Sequence, residues 1–175
     1  MNKAVFLDRD GVLIRDTMYP GDPDKIIFLH DIGKAIKKLN QSQFKVIVVS
    51  NQSGVARGYF TEEVVREINR RIERHVKKDF GKIDGFYYCP HHPDDNCECR
   101  KPKPGMLLKA AKEHGIDLKK SYMIGDSIRD MEAGKAAGCA TILLTQEANN
   151  QYTTAQGLPE AVEIIVSDDL KKASK

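Results

Sequence analysis

Val5-Phe6-Leu7-Asp8-Arg9-Asp10-Gly11-Val12-Leu13 is the segment that decides the fold of this chain. Its apolar run ends in two acids one residue apart, followed by a glycine. This pattern is typical of a buried parallel strand that delivers carboxylates to its carboxyl end. Ligands of open α/β sheets bind beyond such strand ends, so Asp8 and Asp10 are candidates for chemistry. The alternative is an acidic turn in which both side chains are solvated.

The composition indicates an ordinary globular protein. The chain has 175 residues, enough for one well-buried domain, of which 41% are hydrophobic and 30% charged. A formal charge of +3 is too small to indicate binding of nucleic acid or of an anionic membrane. Because no apolar run resembles a membrane helix or a signal peptide, we expect a cytoplasmic protein, and by default a monomer. In that compartment the four cysteines indicate metal ligands or free thiols rather than disulfides.

Predicted strands and helices alternate along the whole chain. After the first strand, strands are predicted at residues 44–49, 86–88, 122–124, 140–144 and, at one edge, 164–166. Helices are predicted after an Asp31 cap, from Thr61 to a closing Gly81, over 105–114 closed by Gly115, and over 128–137 closed by Gly138. Alternation of this kind predicts a single α/β domain over residues 1–175, built on a doubly wound parallel sheet.

Polar clusters follow four of the predicted strands. They contain Asp8 with Asp10, Ser50 with Asn51, Arg100 with Lys101, and Asp126 with Ser127 and Asp130. The carboxyl ends of parallel strands converge on one rim, so these side chains can surround one small volume. Together they offer a carboxylate nucleophile, a second carboxyl for proton transfer, acids for a magnesium ion, and a hydroxyl and an ammonium for phosphoryl oxygens. That combination predicts phosphoryl transfer.

A cysteine and histidine loop spans residues 89–99. Cys89, His91, Cys97 and Cys99 form a closed set of four ligands suited to tetrahedral structural zinc, although their spacing differs from that of common zinc fingers. His92 is an alternative imidazole ligand, and unrelated free thiols are the alternative to a metal site. Since Cys99 directly precedes Arg100 and Lys101, a metal that fixed the loop would also fix the lysine.

These motifs resemble a known family. Asp8-Arg9-Asp10-Gly11-Val12, Ser50, Lys101-Pro102 and Gly125-Asp126 with Asp130 resemble the four-motif signature of the haloacid dehalogenase superfamily of aspartate-nucleophile phosphatases. Residues 49–58 and the zinc loop resemble, more closely, the bacterial D-glycero-D-manno-heptose 1,7-bisphosphate 7-phosphatases and the related histidinol-phosphatase domains. The resemblance extends from Ala4 to Thr145.

The resemblance implies roles for the two acids of the opening segment and for the metals. Asp8 would attack phosphorus and form an aspartyl-phosphate, while Asp10 would protonate the leaving sugar oxygen and then activate water. Mg²⁺ would be held by Asp8, by the backbone carbonyl of Asp10 and by Asp126. For Zn²⁺ the resemblance favours His91 over His92.

The resemblance also implies residues that hold the substrate. Ser50, Asn51 and Lys101 would bind the transferring phosphoryl group. Asp130 would orient Lys101 or a metal-bound water, or would only cap a helix, and both readings stay open. The remaining expected substrate-binding residues are Arg9, Asp16, Tyr19, Gln52, Ser53, Arg57, Arg100 and Ser127.

Substrate selection is expected to fall to rim loops, because the segments between motifs leave no room for a cap domain. In these loops Arg57 and Arg100 could bind the second phosphate of a bisphosphate, with surface salt bridges as the alternative.

The expected function is magnesium-dependent hydrolysis of the 7-phosphate of a heptose 1,7-bisphosphate, in the synthesis of nucleotide-activated heptose for surface polysaccharide. Histidinol-phosphate hydrolysis is the alternative that shares every catalytic residue. Two alternatives of other classes are a phospho-accepting receiver domain and a catalytically silent zinc-dependent binding module. A receiver domain is disfavoured because that class lacks the Asp-x-Asp spacing at one strand end and the zinc loop.

Overall fold

A six-stranded parallel sheet forms the centre of the molecule in this computed structural model, which describes residues 1–147 and 149–173. The strands are β1 (Lys3–Leu7), β2 (Phe44–Asn51), β3 (Gly85–Cys89), β4 (Tyr122–Gly125), β5 (Ala140–Leu144) and β6 (Thr153–Ala155). They pair in the order β3-β2-β1-β4-β5-β6, and every pair is parallel. The predicted doubly wound α/β sheet is therefore confirmed.

Helices cover both faces of the sheet. They are α1 (Ile32–Gln41), α2 (Glu62–Lys78), α3 (Gly105–His114), α4 (Ile128–Ala137) and α5 (Leu158–Ala173). Alternate residues of β1 separate the two faces: Val5 and Leu7 pack with α1, α2 and α5, whereas Ala4 and Phe6 pack with α3 and α4. Burial of apolar side chains on both faces explains why these strands read as continuous apolar runs.

The predicted ends of several helices are confirmed. Thr61 caps α2, since its side chain accepts a hydrogen bond from the amide of Val64. Gly115 and Gly138 end α3 and α4 with left-handed backbone, at φ of 60° and 93°. Glycine adopts this conformation without the steric cost that other residues incur.

The predicted edge strand at residues 164–166 is wrong. These residues lie inside α5, and the edge strand is β6, at Thr153–Ala155. The β-branched run suggested a strand, but Leu158, Ala161, Val162 and Ile165 recur at helical spacing and are all buried. That longer apolar stripe packs against the sheet and determines the local structure.

α1 begins directly after Asp31 as predicted, but this helix start and the end of α2 are formed differently from expectation. Asp31 precedes α1 with left-handed backbone, at φ of 52°, and its side chain makes no capping hydrogen bond. After α2 the left-handed residue is Phe80, at φ of 63°, rather than Gly81. A Cβ at Gly81 would press on Val76 and on the carbonyl of Gly33, so close packing explains this glycine better than helix termination does.

The strand order reverses between β1 and β4, and this places a crevice at their carboxyl ends. Between β1 and β2 the chain forms only a short 3₁₀ turn at Pro23–Lys25 and α1, so no cap domain is inserted there. Among the described residues, no helix combines the length and apolar character needed to cross a membrane.

Candidate active site

Asp8 and Lys101 form the centre of the site. Asp8 directly follows β1, and its Oδ1 accepts hydrogen bonds from Lys101 Nζ at 2.8 Å and from the amide of Arg9 at 2.8 Å. No described residue donates to the other oxygen, Oδ2. One oxygen of Asp8 is thus held firmly by the protein, while the other is left for a substrate or an ion.

Asp130 holds Lys101 in place. Lys101 is 2% exposed, and its ammonium contacts Asp130 Oδ1 at 2.7 Å and donates to the carbonyl of Val49 at 2.9 Å. The second oxygen of Asp130 accepts from the amide of Ser127 at 3.1 Å and from its hydroxyl at 2.8 Å. Asp130 therefore orients Lys101 and caps α4 at the same time, which joins the two readings that the sequence left open.

Asp10 is held by a separate group of donors. Arg9 reaches it through Nε, at 3.3 Å from Oδ2, and through Nη2, at 3.2 Å from Oδ1. Gln52 donates to Oδ2 at 2.9 Å. Behind them Asn69 of α2 accepts from Arg9 Nη1 at 3.5 Å. The carboxyl of Asp10 is thereby fixed beside Asp8 without contacting Lys101.

Burial shapes the ionisation of these groups. It raises the pKa of Asp8 to about 7, against the opposing effect of the Lys101 ammonium. Burial also raises the pKa of Asp126 to about 6, and the Asp130 carboxylate adds to this effect. For Lys101, burial alone would lower the pKa, but the carboxylates of Asp8 and Asp130 raise it above its ordinary value. Three carboxyl groups, those of Asp8, Asp126 and Asp130, surround the single ammonium of Lys101, so this group of side chains favours binding of an additional cation.

The acids are suited to a hard cation. Carboxylate oxygens of Asp8, Asp126 and Asp130 lie within 4.8 Å of one another. Gly11 makes this convergence possible: its φ is 82°, and a Cβ at this position would collide with the Asp126 carboxylate. Since both oxygens of Asp130 are engaged by Lys101 and Ser127, Asp8 and Asp126 are the carboxylates left free to bind Mg²⁺.

A cavity of about 290 Å³ opens above these groups. Its lining includes Asp8, Asp10, Lys101 and Asp126. The predicted substrate-binding residues that line it are Asp16, Tyr19, Gln52, Ser53, Arg100 and Ser127. One guanidinium nitrogen of Arg100, Nη1, is buried and has no hydrogen-bond partner. A buried donor without a partner is costly, which indicates a site for an anionic group beside Arg100.

Two predicted substrate-binding residues, Arg9 and Arg57, are not among the residues that line the cavity. Arg9 is 0% exposed, and its guanidinium donates to Asp10 and to Asn69, so it supports the site from beneath the cavity lining. Arg57 is exposed and does not line the cavity; its guanidinium lies 6.0 Å from the centre of the Tyr19 ring. Side-chain direction decides both cases, and neighbouring sequence does not reveal it.

The two residues at the end of β2 have different environments. Asn51 lines the cavity, but its side-chain amide donates to the carbonyl of Lys101 and accepts from the Lys101 amide, both at 3.0 Å. This reciprocal pair fixes the backbone of the lysine. Ser50 is 1% exposed, below the cavity lining, and its expected contact with a phosphoryl group stays a prediction.

Two residues of the site were missed by the sequence reasoning. Asn69 supports Arg9 and was detectable, since it is an amide within the buried apolar stripe of α2. Arg129 lines the cavity from the first turn of α4, where the helix dipole disfavours a positive charge. A basic residue at that position was the available signal.

The four predicted zinc ligands come together in the loop after β3. Cys89 Sγ lies 3.6 Å from His91 Nδ1 and 3.5 Å from Cys97 Sγ, and Cys99 Sγ lies 3.2 Å from His91 Nδ1. Ligands at tetrahedral corners around zinc are separated by roughly 3.5 Å, given metal–ligand bonds of about 2.0 to 2.3 Å. His92 Nδ1 instead accepts from the amide of Asp94 and caps a 3₁₀ turn, so the geometry favours His91 as the ligand.

Comparison with known proteins identifies similar sequences. The family model described as HAD-hydrolase-like matches residues 98–173. A D-glycero-beta-D-manno-heptose-1,7-bisphosphate 7-phosphatase of Haemophilus ducreyi is 40% identical over 166 residues, covering 91% of this chain and 90% of the relative. The enzyme of the same name from Yersinia pestis is 41% identical over 180 residues, covering 98% of this chain and 95% of the relative.

A solved structure is similar over nearly the whole chain. The D,D-heptose 1,7-bisphosphate phosphatase of Bordetella bronchiseptica, in complex with magnesium and phosphate, is 34% identical with a TM-score of 0.86. The alignment covers 95% of this chain and 99% of the other. The fold therefore has a close counterpart in a heptose bisphosphate phosphatase.

Proposed function

We propose that this chain, which belongs to the D-glycero-D-manno-heptose-1,7-bisphosphate 7-phosphatase family within the haloacid dehalogenase superfamily, removes the 7-phosphate of D-glycero-D-manno-heptose 1,7-bisphosphate. As a member it is a phosphoric monoester hydrolase. Its product would feed the synthesis of nucleotide-activated heptose and surface polysaccharide. The observation that carries the proposal is the asymmetry of Asp8, whose Oδ1 is held by Lys101 and the Arg9 amide while Oδ2 has no donor among the described residues.

The proposed first step is attack by Asp8 Oδ2 on phosphorus. The new Oδ2–P bond forms as the bond between phosphorus and the sugar oxygen O7 breaks, and Asp10 gives its proton to O7. Lys101 keeps the Asp8 carboxylate in one rotamer and places positive charge beside the transferring group. The product of this step is an aspartyl-phosphate on Asp8 and a free sugar hydroxyl.

The proposed second step is hydrolysis of the aspartyl-phosphate. Asp10 takes a proton from a water molecule whose oxygen attacks phosphorus, and the Oδ2–P bond breaks to release phosphate. Both steps need Asp10 close to the oxygen that leaves or attacks phosphorus, which is the sugar oxygen in the first step and the water oxygen in the second. The hydrogen bonds from Arg9 and Gln52 hold the Asp10 carboxyl beside Asp8 for this purpose.

Magnesium fits the acids of this site. Asp8 and Asp126, with the backbone carbonyl of Asp10, would hold it, because these are the hard oxygen donors that Mg²⁺ prefers. When bound, the ion neutralises charge on the phosphoryl oxygens. The raised pKa values of Asp8 and Asp126 support this assignment, since an adjacent cation stabilises their ionised forms.

Zinc fits the cysteine and histidine loop. Cys89, His91, Cys97 and Cys99 would hold it as a closed structural site without an open position for substrate. The loop is packed tightly against the next helix, because a Cβ at Gly105 would collide with the carbonyl of Glu98. Zinc would therefore stabilise the segment that leads into Arg100 and Lys101.

Side-by-side turnover on three substrates tests the proposed function. The α and β anomers of the heptose bisphosphate and histidinol phosphate would be compared with the same enzyme preparation in the presence of Mg²⁺. We expect kcat/KM to be higher for at least one heptose bisphosphate anomer than for histidinol phosphate. Preference for histidinol phosphate over both anomers would contradict the proposed substrate while leaving the phosphatase assignment intact.

A further inference from the structure

Arg129 is a cation of the cavity with no assigned partner. It is the second residue of α4, it is exposed, and it lines the cavity that contains Asp8 and Asp126. Within residues 1–147 and 149–173 no hydrogen bond or ion pair engages its guanidinium. The helix does not need it, because Ser127 and Asp130 already form the capping box, and a positive charge in the first turn opposes the helix dipole.

The cavity is lined by more acids than cations, so the positive charge of Arg129 is available to bind an anionic group of the substrate. Five acids line the cavity: Asp8, Asp10, Asp16, Asp126 and Asp130. Of the three lining cations, Lys101 is already engaged by two carboxylates. Arg9 is committed to Asp10, and Lys101 and a bound Mg²⁺ would serve Asp8, Asp126 and the transferring phosphate, so a second phosphate needs other positive groups.

Arg100 and Arg129 are the two lining cations left for that phosphate. Arg100 lies in the segment after β3, whereas Arg129 follows β4, so the two arginines come from strands on opposite sides of β1. Each guanidinium can donate two parallel hydrogen bonds to phosphate oxygens. Both arginines line the same cavity, so one phosphate bound there could accept hydrogen bonds from both.

We propose that Arg129 binds the non-transferred phosphate together with Arg100, and that it selects bisphosphates over simple phosphate monoesters. This inference rests on the proposed function and assigns a substrate-selecting role within the same site. Arg129 takes no part in bond making or breaking, so its contribution falls on the binding of doubly phosphorylated substrate.

The test compares two substrates and three variants. Arg129→Ala, Arg129→Lys and Lys135→Ala would be assayed on the heptose 1,7-bisphosphate and on p-nitrophenyl phosphate, which has no second phosphate. Lys135 lies on the same helix as Arg129, is exposed and is outside the cavity lining, so it controls for loss of one positive charge. For Arg129→Ala we expect KM for the bisphosphate to rise about tenfold or more, since a charge-assisted hydrogen bond is lost, with kcat within about twofold.

The remaining measurements separate the outcomes. Turnover of p-nitrophenyl phosphate should be unchanged in every variant, and Arg129→Lys should recover part of the affinity for the bisphosphate. Equal losses on both substrates, or no loss on either, would overturn the role of Arg129. Wild-type turnover of p-nitrophenyl phosphate without turnover of the bisphosphate would overturn the proposed substrate, and the role of Arg129 with it.

Discussion

The floor and the rim of the cavity are built in opposite ways. On the floor, Lys101 and Asp130 are 2% and 1% exposed, and the Lys101 ammonium is paired with the carboxylates of both Asp130 and Asp8. On the rim, Met18 and Tyr19 are 81% and 44% exposed and have left-handed backbone, at φ of 46° and 68°. The difference indicates that the floor is preorganised for chemistry that many phosphatases share, whereas the rim is left open for one substrate.

Asp8→Asn tests the floor most severely. We expect kcat to fall by at least about a thousandfold, because an amide oxygen cannot replace the carboxylate nucleophile. The free energy of unfolding should be unchanged or higher, since burial disfavours the charge of Asp8, as its raised pKa shows. Thermal melts beside steady-state kinetics would check both. Substantial residual turnover in the purified variant would contradict the role of Asp8.

Lys101→Met breaks the charge pairing of the floor. We expect kcat to fall by about a hundredfold, from loss of positive charge at the transferring group. Stability should fall by about 3 to 5 kcal/mol, because Asp130 is left buried and unpaired. The double variant Lys101→Met with Asp130→Asn is the control. It should regain stability in denaturant titrations without regaining activity, and recovery of activity would refute the catalytic use of Lys101.

Loss of zinc should have a smaller effect that reaches the floor indirectly. Cys97→Ser removes one ligand of the loop that precedes Lys101, and we expect kcat/KM to fall by about tenfold while far-UV circular dichroism is retained. Cys139→Ala, a buried cysteine outside the cluster, is the matched control. Zinc content would be measured on each preparation. Unchanged kinetics in zinc-free protein would show that the loop and the lysine are not coupled.

Tyr19→Ala should give the smallest change and should be confined to the rim. The Tyr19 ring lines the cavity and contacts Tyr59 edge to face, with centroids 5.0 Å apart. We expect KM to rise by about threefold with kcat retained, the usual size of one lost aromatic contact. Tyr59→Ala is the control, because Tyr59 does not line the cavity. A fall in kcat as large as that of Lys101→Met would show that floor and rim are not separate.

The floor of the cavity was predictable from sequence because its residues lie at the ends of predicted strands and are the residue types that phosphoryl transfer requires. Asp8 and Asp126 follow predicted strands, and Lys101 follows the cysteine and histidine motif after a third strand. Parallel strands bring their carboxyl ends together at one edge of the sheet, so these residues were expected to meet. Family membership then supports a phosphatase over a receiver domain or a binding module. The pairing of Asn51 with the Lys101 backbone was not predictable, since both are polar residues at a strand end and either could face substrate.

The rim was predicted less well because it depends on the direction of long side chains. Arg9, Arg57 and Arg129 each lie close to a recognised motif, and the sequence does not show where their side chains point. In the structure Arg9 is buried against Asp10, Arg57 lies beside Tyr19, and Arg129 lines the cavity. The error at residues 164–166 has another origin: strand propensity over three residues was outweighed by an apolar stripe that extends through α5. Propensity is a weaker signal than periodicity when the two disagree.

Chemical trapping of the intermediate tests most directly the central claim, that Asp8 is the nucleophile and Asp10 the proton carrier. Borohydride added during turnover reduces an aspartyl-phosphate to homoserine, which peptide mass spectrometry can locate; enzyme without substrate is the control. We predict homoserine at position 8 only when substrate is present, with Asp10 unmodified. Modification at position 10, or none at either position during demonstrable turnover, would contradict the account.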